Sequence, residues 1–264
     1  MSESSLILRS SSRLNRLWRL AMTGCCFAMF GLGGLLLSLV WFNLLLIQGD
    51  VARRRQLARR SISASFRFFL RSSRALGVLD YRIDGAETLR TDSGCLVVAN
   101  HPTLIDYVLL ASVMPDADCL VKAGLRRNLF FRGVIRSADY LLNSQSETLL
   151  PDCQQRLNNG NVIIIFPEGT RTRYGEPMVL QRGAANIAVR CGCDLRVVHI
   201  HCSQQTLGKQ SRWYHIPPEK PHFTVSVRER ISSKKVMAQE DALPLAARRL
   251  NRLLQQSLTT PENL

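Results

Sequence analysis

The chain has 264 residues, 46% of them hydrophobic, which is enough for one sizeable core with or without an appendage. Its 35 Lys and Arg against 20 Asp and Glu give a formal charge of +15, a balance that suggests an anionic partner, either nucleic acid or a membrane surface. No zinc-finger spacing and no aromatic-basic RNA motif occurs, so nucleic acid is set aside, and the eight Cys form no CxxC pair. Most of these cysteines sit in apolar runs, and free buried thiols in a reducing compartment are expected, with no metal site.

In chain order, the first element is apolar. Leu20 to Gly49 carries no charge and is long enough, at about 1.5 Å per helical residue, to cross a bilayer once. Residues 1–80 hold twelve Arg and no Lys, against Glu3, Asp50 and Asp80. Basic residues beside a greasy segment read as attachment to anionic lipid. The arginines lie on both sides, Arg9, Arg13, Arg16 and Arg19 before the segment and Arg53, Arg54, Arg55, Arg59 and Arg60 after it. Positive residues favour the cytoplasmic side, so two arrangements stand level: a re-entrant hairpin bending at Gly31, Gly33 and Gly34, or a single span. Both place the downstream domain on the cytoplasmic face of a bacterial-type inner membrane. Residues 51–76 read as a basic helix whose Leu57, Ile62, Phe66, Phe69 and Leu70 suit headgroup contact, packing on the domain, or both. Residues 1–76 are therefore expected to form a membrane anchor with an interfacial helix, and residues 77–264 a catalytic domain.

From about residue 78 the pattern alternates between short β-rich runs and helical stretches. Strands are expected at Leu79–Ile83, Cys95–Ala99, Cys119–Lys122, Asp139–Leu142, Val162–Phe166, Leu195–His201 and Phe223–Val227. Helices are expected near 103–113, 125–135, 147–158, 181–191 and 240–257. This alternation predicts an α/β layer fold with a mixed, partly parallel sheet flanked by helices. Cys95–Ala99 and Val162–Phe166 are almost wholly apolar, as central strands buried on both faces should be.

Both apolar strands end in polar clusters. The first cluster is Asn100-His101-Pro102-Thr103-Leu104-Ile105-Asp106. Ligand sites in open α/β sheets collect beyond the carboxyl ends of strands, and this cluster follows one and opens a helix. Thr103 is a candidate cap, with Asp106 in the first turn, where its carboxylate can turn back and hold one nitrogen of His101. The other nitrogen could then accept a proton from a substrate hydroxyl. On spacing alone the pair reads more readily as a loop histidine beside a solvated acid. The second cluster is Phe166-Pro167-Glu168-Gly169-Thr170-Arg171. Gly169 allows close backbone approach, and Arg171 offers a planar fork for phosphate or carboxylate.

Together the two clusters resemble the glycerolipid acyltransferase family, whose bacterial member makes phosphatidic acid from lysophosphatidic acid. The family's first motif, Asn-His followed by four residues and Asp, stands at Asn100, His101 and Asp106; its third, Phe-Pro-Glu-Gly-Thr-Arg, stands at 166–171. The resemblance covers roughly residues 80–230. It implies that His101 is the general base on the acceptor hydroxyl, that Asp106 orients it, and that the oxygen attacks an acyl thioester directly, without a covalent acyl-enzyme. It implies that Glu168, Gly169, Thr170 and Arg171 shape the acceptor pocket, with Arg171 near the phosphate. It aligns Lys122 with a lysine close to the reacting carbonyl. The implied partners are membrane lipids, a lysophospholipid acceptor and an acyl carrier protein or coenzyme A thioester, with no cofactor.

Two positions depart from the family pattern. Asn143 stands near the place of a second-motif Arg, for which Arg132 and Arg136 are possible substitutes, and His199 stands where a fourth-motif Pro is usual. Both departures bear on the acceptor rather than the chemistry, and resemble members associated with bacterial aryl-polyene lipid clusters. The expected function is O-acylation of 1-acyl-glycerol-3-phosphate. The alternatives are acylation of another lipid, such as an ornithine lipid, glycolipid or aryl-polyene type, or a non-catalytic lipid-binding protein.

Overall fold

A computed structural model describes residues 3–143 and 148–259, with side chains for all of these except 3–12, 122, 123, 126 and 129–131. Helix α1 (Glu3–Leu36) passes through a π-helical turn (Leu37–Trp41) into the short α2 (Phe42–Leu45). One stretch of it, Arg13–Leu45, is long and apolar enough to cross a membrane and is largely exposed. The bend expected at Gly31, Gly33 and Gly34 is not made: these residues lie inside α1. Glycine makes bending easier without requiring it, and the chain reverses later, at 46–50. There Asp50 accepts from the N–H groups of Ala52 and Arg53 and caps α3 (Val51–Ala75). Helix α3 then returns antiparallel to α1. Trp41 Nε1 donates to Ser61 Oγ at 2.9 Å, Phe30 meets Phe69 edge-on at 5.1 Å, and Trp18 Nε1 donates to the Leu76 carbonyl at 3.0 Å. Arg9, among the expected flanking charges, has its side chain outside the described residues.

Helix α3 packs on the domain through Ala58, Ile62, Ser63 and Leu70, while Arg53 and Arg60 stay exposed. Arg59, one of the charges counted after the apolar segment, is buried. Its guanidinium pairs with the fully buried Asp118 and donates to the carbonyls of Asp116 and Ala138, each at 3.0 Å. A charge removed from water needs such partners, and these close on it completely.

The sheet has seven strands in the order β1-β7-β6-β2-β5-β3-β4. They are β1 (Asp80–Asp84), β2 (Cys95–Ala99), β3 (Asp118–Lys122), β4 (Leu141–Asn143), β5 (Ile163–Ile165), β6 (Asp194–Cys202) and β7 (His222–Ile231). Only β6 and β7 pair antiparallel. All seven expected strands form, within a few residues of the predicted ends. The intervening helices are α4 (Ala86–Thr91), α5 (Asp106–Val113), α6 (Leu129–Ala138), α7 (Leu149–Asn158), α8 (Gly183–Cys191), α9 (Ser233–Met237) and α10 (Leu243–Thr259). The expected start of α7 at residue 147 lies outside the described residues. Central β2 shows why an unbroken apolar run was needed: Leu96 and Val98 enter the core beneath α7, α8 and α10, whereas Cys95, Val97 and Ala99 enter the core beneath α3 and α5. All eight cysteines are free, and five are buried.

The arm and the domain meet closely at α6. A Cβ on Gly133 would lie 2.5 Å from the Ser38 carbonyl oxygen, so only glycine lets α6 approach the π-helical turn. Ser137 Oγ donates to the Phe42 carbonyl at 2.7 Å beside it.

Candidate active site

The neighbours β2 and β5 send their following helices to opposite faces. Helix α5, after β2, packs into one core through Val108, Leu109 and Leu110; α8, after β5, packs into the other through Ala184, Ala185 and Ala188. Diverging connections leave a crevice at the carboxyl ends of the two strands, where binding sites of open sheets form. The two polar clusters meet there.

His101 Nδ1 lies 2.7 Å from Asp106 Oδ2. The same oxygen accepts from the Thr103 N–H at 2.7 Å, and Thr103 Oγ1 donates to Oδ1. Asp106 is fully buried, and its burial pushes the carboxyl up from its ordinary range, opposed by the donors of His101 and Thr103. Thr103 thus serves the carboxylate and not the helix end, since α5 has no side-chain cap. A carboxylate accepting at Nδ1 fixes the proton there and leaves Nε2 as the acceptor nitrogen. The imidazole is 22% exposed, its ring stacks on Phe166 at 4.4 Å between centroids, and it lines a large cleft.

Behind the dyad the main chain is braced. Asn100 Nδ2 donates to the Ile200 carbonyl at 2.8 Å, and Asn100 Oδ1 accepts from the Ile200 N–H at 2.6 Å, which ties the end of β2 to β6. Glu168 Oε1 accepts from the His101 N–H at 2.6 Å, its Oε2 accepts from Thr172 Oγ1, and the Thr172 N–H donates to the His101 carbonyl at 3.1 Å. Burial pushes the Glu168 carboxyl up, with the His101 N–H opposing. Glu168, expected at the acceptor pocket, is buried and lies outside the cleft lining: one of its oxygens faces the His101 loop and the other its own loop. Gly169 turns the chain at φ +69°, a conformation costly for other residues. Gly169, Thr170 and Arg171 do line the cleft. Arg171 Nη1 donates to the carbonyls of Leu207 and Gly208, both at 3.0 Å. Lys122 ends β3, and its side chain lies outside the described residues.

The cleft encloses about 1700 Å³ between the arm and the sheet. Phe27, Met29 and Phe30 of α1 and Phe66, Phe68 and Phe69 of α3 form its apolar wall, and His101 lies in the opposite wall. Asn143, Asn186 and Arg190 also line it; Arg132 and Arg136 are exposed elsewhere and do not replace the second-motif Arg. Sequence reasoning missed the ring stacking of Phe166, the brace of Asn100 and the role of Thr172. The first two residues stand inside the quoted motifs, and Thr172 directly follows the second. No cluster of three or more metal-ligating side chains occurs among the described residues.

A buried acid thus holds a largely buried imidazole beside an apolar cleft, at the crevice of a mixed α/β sheet. An acyltransferase family model matches residues 80–202. The human 1-acyl-sn-glycerol-3-phosphate acyltransferase beta is 28% identical over 133 residues, 47% of this chain and 47% of that protein. The 1-acyl-sn-glycerol-3-phosphate acyltransferase of Helicobacter pylori is 30% identical over 105 residues, 37% of this chain and 44% of that one. The matched region spans about half or less of these curated relatives. The crystal structure of the 1-acyl-sn-glycerophosphate acyltransferase PlsC from Thermotoga maritima shares the fold, with a TM-score of 0.64 at 19% identity, over 96% of this chain and 100% of that one. Over residues 80–202 the chain is thus similar to the glycerolipid acyltransferases, and its fold is that of PlsC.

Proposed function

We propose that the protein transfers a fatty acyl group from an acyl thioester to the free hydroxyl of 1-acyl-glycerol-3-phosphate, giving phosphatidic acid. The observation that carries this is the His101–Asp106 pair set in the wall of an apolar cleft large enough for long chains. His101 Nε2 removes the hydroxyl proton as the oxygen attacks the thioester carbonyl, while Asp106 stabilises the imidazolium that forms. Collapse of the tetrahedral species breaks the C–S bond, and His101 returns the proton to the leaving thiolate. Ester and thiol are the products, and no metal or cofactor takes part. Two cysteines line the cleft, Cys26 on the arm and Cys119 on the sheet, and direct transfer fits the second: burial pushes Cys119 up to about 12, so it holds its proton at neutral pH and is a poor nucleophile.

The donor carrier is an acyl carrier protein or coenzyme A. The apolar arm seats the domain on the cytoplasmic face of the membrane, so both long chains stay near the bilayer. A second reading keeps the chemistry and changes the acceptor to another lysophospholipid, an ornithine lipid, a glycolipid or an aryl-polyene lipid. The cleft position of Asn143, with Arg132 and Arg136 outside, favours it.

The test offers purified protein in detergent a labelled acyl-carrier-protein or coenzyme A thioester with a panel of lysolipids, beside His101→Ala. Turnover of 1-acyl-glycerol-3-phosphate that His101→Ala abolishes supports the first reading. Turnover confined to other acceptors selects the second, and equal turnover by both proteins would sink the mechanism.

A further inference from the structure

Strands β6 and β7 are antiparallel neighbours, and such pairs are usually joined by 2–5 residues. Here residues 203–221 intervene, and both ends of this excursion are pinned. The first end is held at the active site. The Leu207 carbonyl accepts from the Leu104 N–H and from Arg171 Nη1, each at 3.0 Å, and Leu207 is kept at φ +52°, rare for a branched residue. The second end is held by α1. Arg19, almost fully buried, donates to the carbonyls of Pro218 at 2.6 Å and Glu219 at 2.8 Å. Trp213 sits 6.1 Å from Phe27 and covers Gly24, where a Cβ would lie 3.5 Å from its ring. Between these ties the tip is open to solvent. Trp213 is 49% and Tyr214 43% exposed, their rings edge-to-face at 5.7 Å, with Arg212 over the tyrosine ring, and Lys209 of the same tip is exposed as well.

We propose that this tip, Lys209–Tyr214, is a second membrane contact, seated in the headgroup layer of an anionic bilayer alongside α1. The proposal rests on the reading of the arm as membrane-embedded. Three features carry it. Trp and Tyr prefer the interface because each has an apolar ring and a polar handle. Trp213 meets α1 at Phe27, and farther along the same helix Leu32 and Leu36 are exposed, so the tip adjoins an apolar arm already present. Lys209 and Arg212 supply charges complementary to lipid phosphate. Because the other end of the excursion holds Leu104 and Arg171, the depth of the tip fixes how the cleft beside His101 meets the membrane surface.

The chain has three tryptophans, which makes the contact measurable. Trp18→Phe/Trp41→Phe leaves Trp213 as reporter, and Trp18→Phe/Trp213→Phe leaves Trp41. Each full-length variant is placed in phosphatidylcholine–phosphatidylglycerol vesicles whose acyl chains carry bromine near the headgroup or near the chain end. Trp213 is expected to be quenched more strongly by the shallow bromines, and Trp41 to be quenched as well. Quenching of Trp41 without Trp213 overturns the loop contact and leaves the anchor standing; quenching of neither overturns both. A Trp213 response only on adding a protein acyl donor would assign the tip to a protein partner and overturn the lipid contact. Lys209→Glu/Arg212→Glu is expected to lower turnover several-fold with acceptor in anionic vesicles and to leave it unchanged in neutral mixed micelles. An equal fall in both marks a structural lesion and overturns the proposal.

Discussion

The loops after β2 and β5 use the same kinds of residue to opposite ends. In the first, a buried carboxylate supports a side chain: Asp106 holds the His101 ring, which lines the cleft. In the second, a buried carboxylate supports a main chain: Glu168 holds the His101 N–H and never reaches the cleft. On the proposed mechanism one loop carries the proton and the other fixes where the carrier stands. A charged residue in a recognisable motif therefore need not touch substrate, and the two loops should respond differently to substitution.

The largest effect is expected at His101. Positioned general bases contribute about 10²–10⁴ in rate, so His101→Ala should lower kcat by that order with little change in donor KM or melting temperature. Acyl-transfer kinetics beside a circular-dichroism melt checks both. Asp106→Asn should follow with a smaller loss, above about tenfold. The asparagine Oδ1 can accept from His101 Nδ1 and the Thr103 N–H, and its amide can donate to Thr103 Oγ1, so geometry survives while the charge behind the imidazolium is lost. Stability should move the other way. Burial raises the Asp106 carboxyl above its unfolded value, so its contribution to stability is full at acid pH and is lost as pH rises through the folded value. The asparagine escapes that loss. The melting temperature of Asp106→Asn relative to wild type should rise from acid toward neutral pH, and a difference independent of pH would contradict the assignment.

Much of this was readable in the chain because the informative residues are contiguous. The apolar run Cys95–Ala99 marks a strand buried on both faces, and the residues following it are the site. What was not readable depends on distant partners. Arg59 sits among arginines that face outward, and only Asp118, 59 residues away, shows that it faces in. Glu168 turns inward for a main-chain N–H, a donor every residue but proline carries and no pattern can flag. Helices α4 and α9, of six and five residues, are too short to show a period. The excursion 203–221 has neither period nor motif, yet its carbonyls receive Arg171 and Arg19.

Next in size is the brace itself. Glu168→Ala would leave the His101 N–H without its partner, at about 1–3 kcal/mol for a buried group. The melting temperature and kcat should fall together, while acceptor KM holds. Glu168→Gln can still accept at Oε1, so stability close to wild type and activity within several-fold are expected. If Glu168→Gln were as inactive as His101→Ala, Glu168 would belong to the proton path, and the contrast between the loops would fail.

The smallest effect tests the residue that does both jobs. Arg171 lines the cleft, yet its Nη1 is committed to the Leu207 and Gly208 carbonyls, leaving the rest of the guanidinium for a headgroup. Lysine keeps the charge but has one nitrogen where arginine has three, so it can brace the loop or meet an anion but serves both poorly. Losing one charge-assisted hydrogen bond, about 1.5–3 kcal/mol, should raise acceptor KM about tenfold or more in Arg171→Lys and leave kcat near wild type. A rise seen with phosphate-bearing acceptors and absent with uncharged ones would place Arg171 at the headgroup. An equal rise with both, together with a lower melting temperature, would make it a brace like Glu168 and leave Arg190 of α8 as a cleft arginine to recognise an anion.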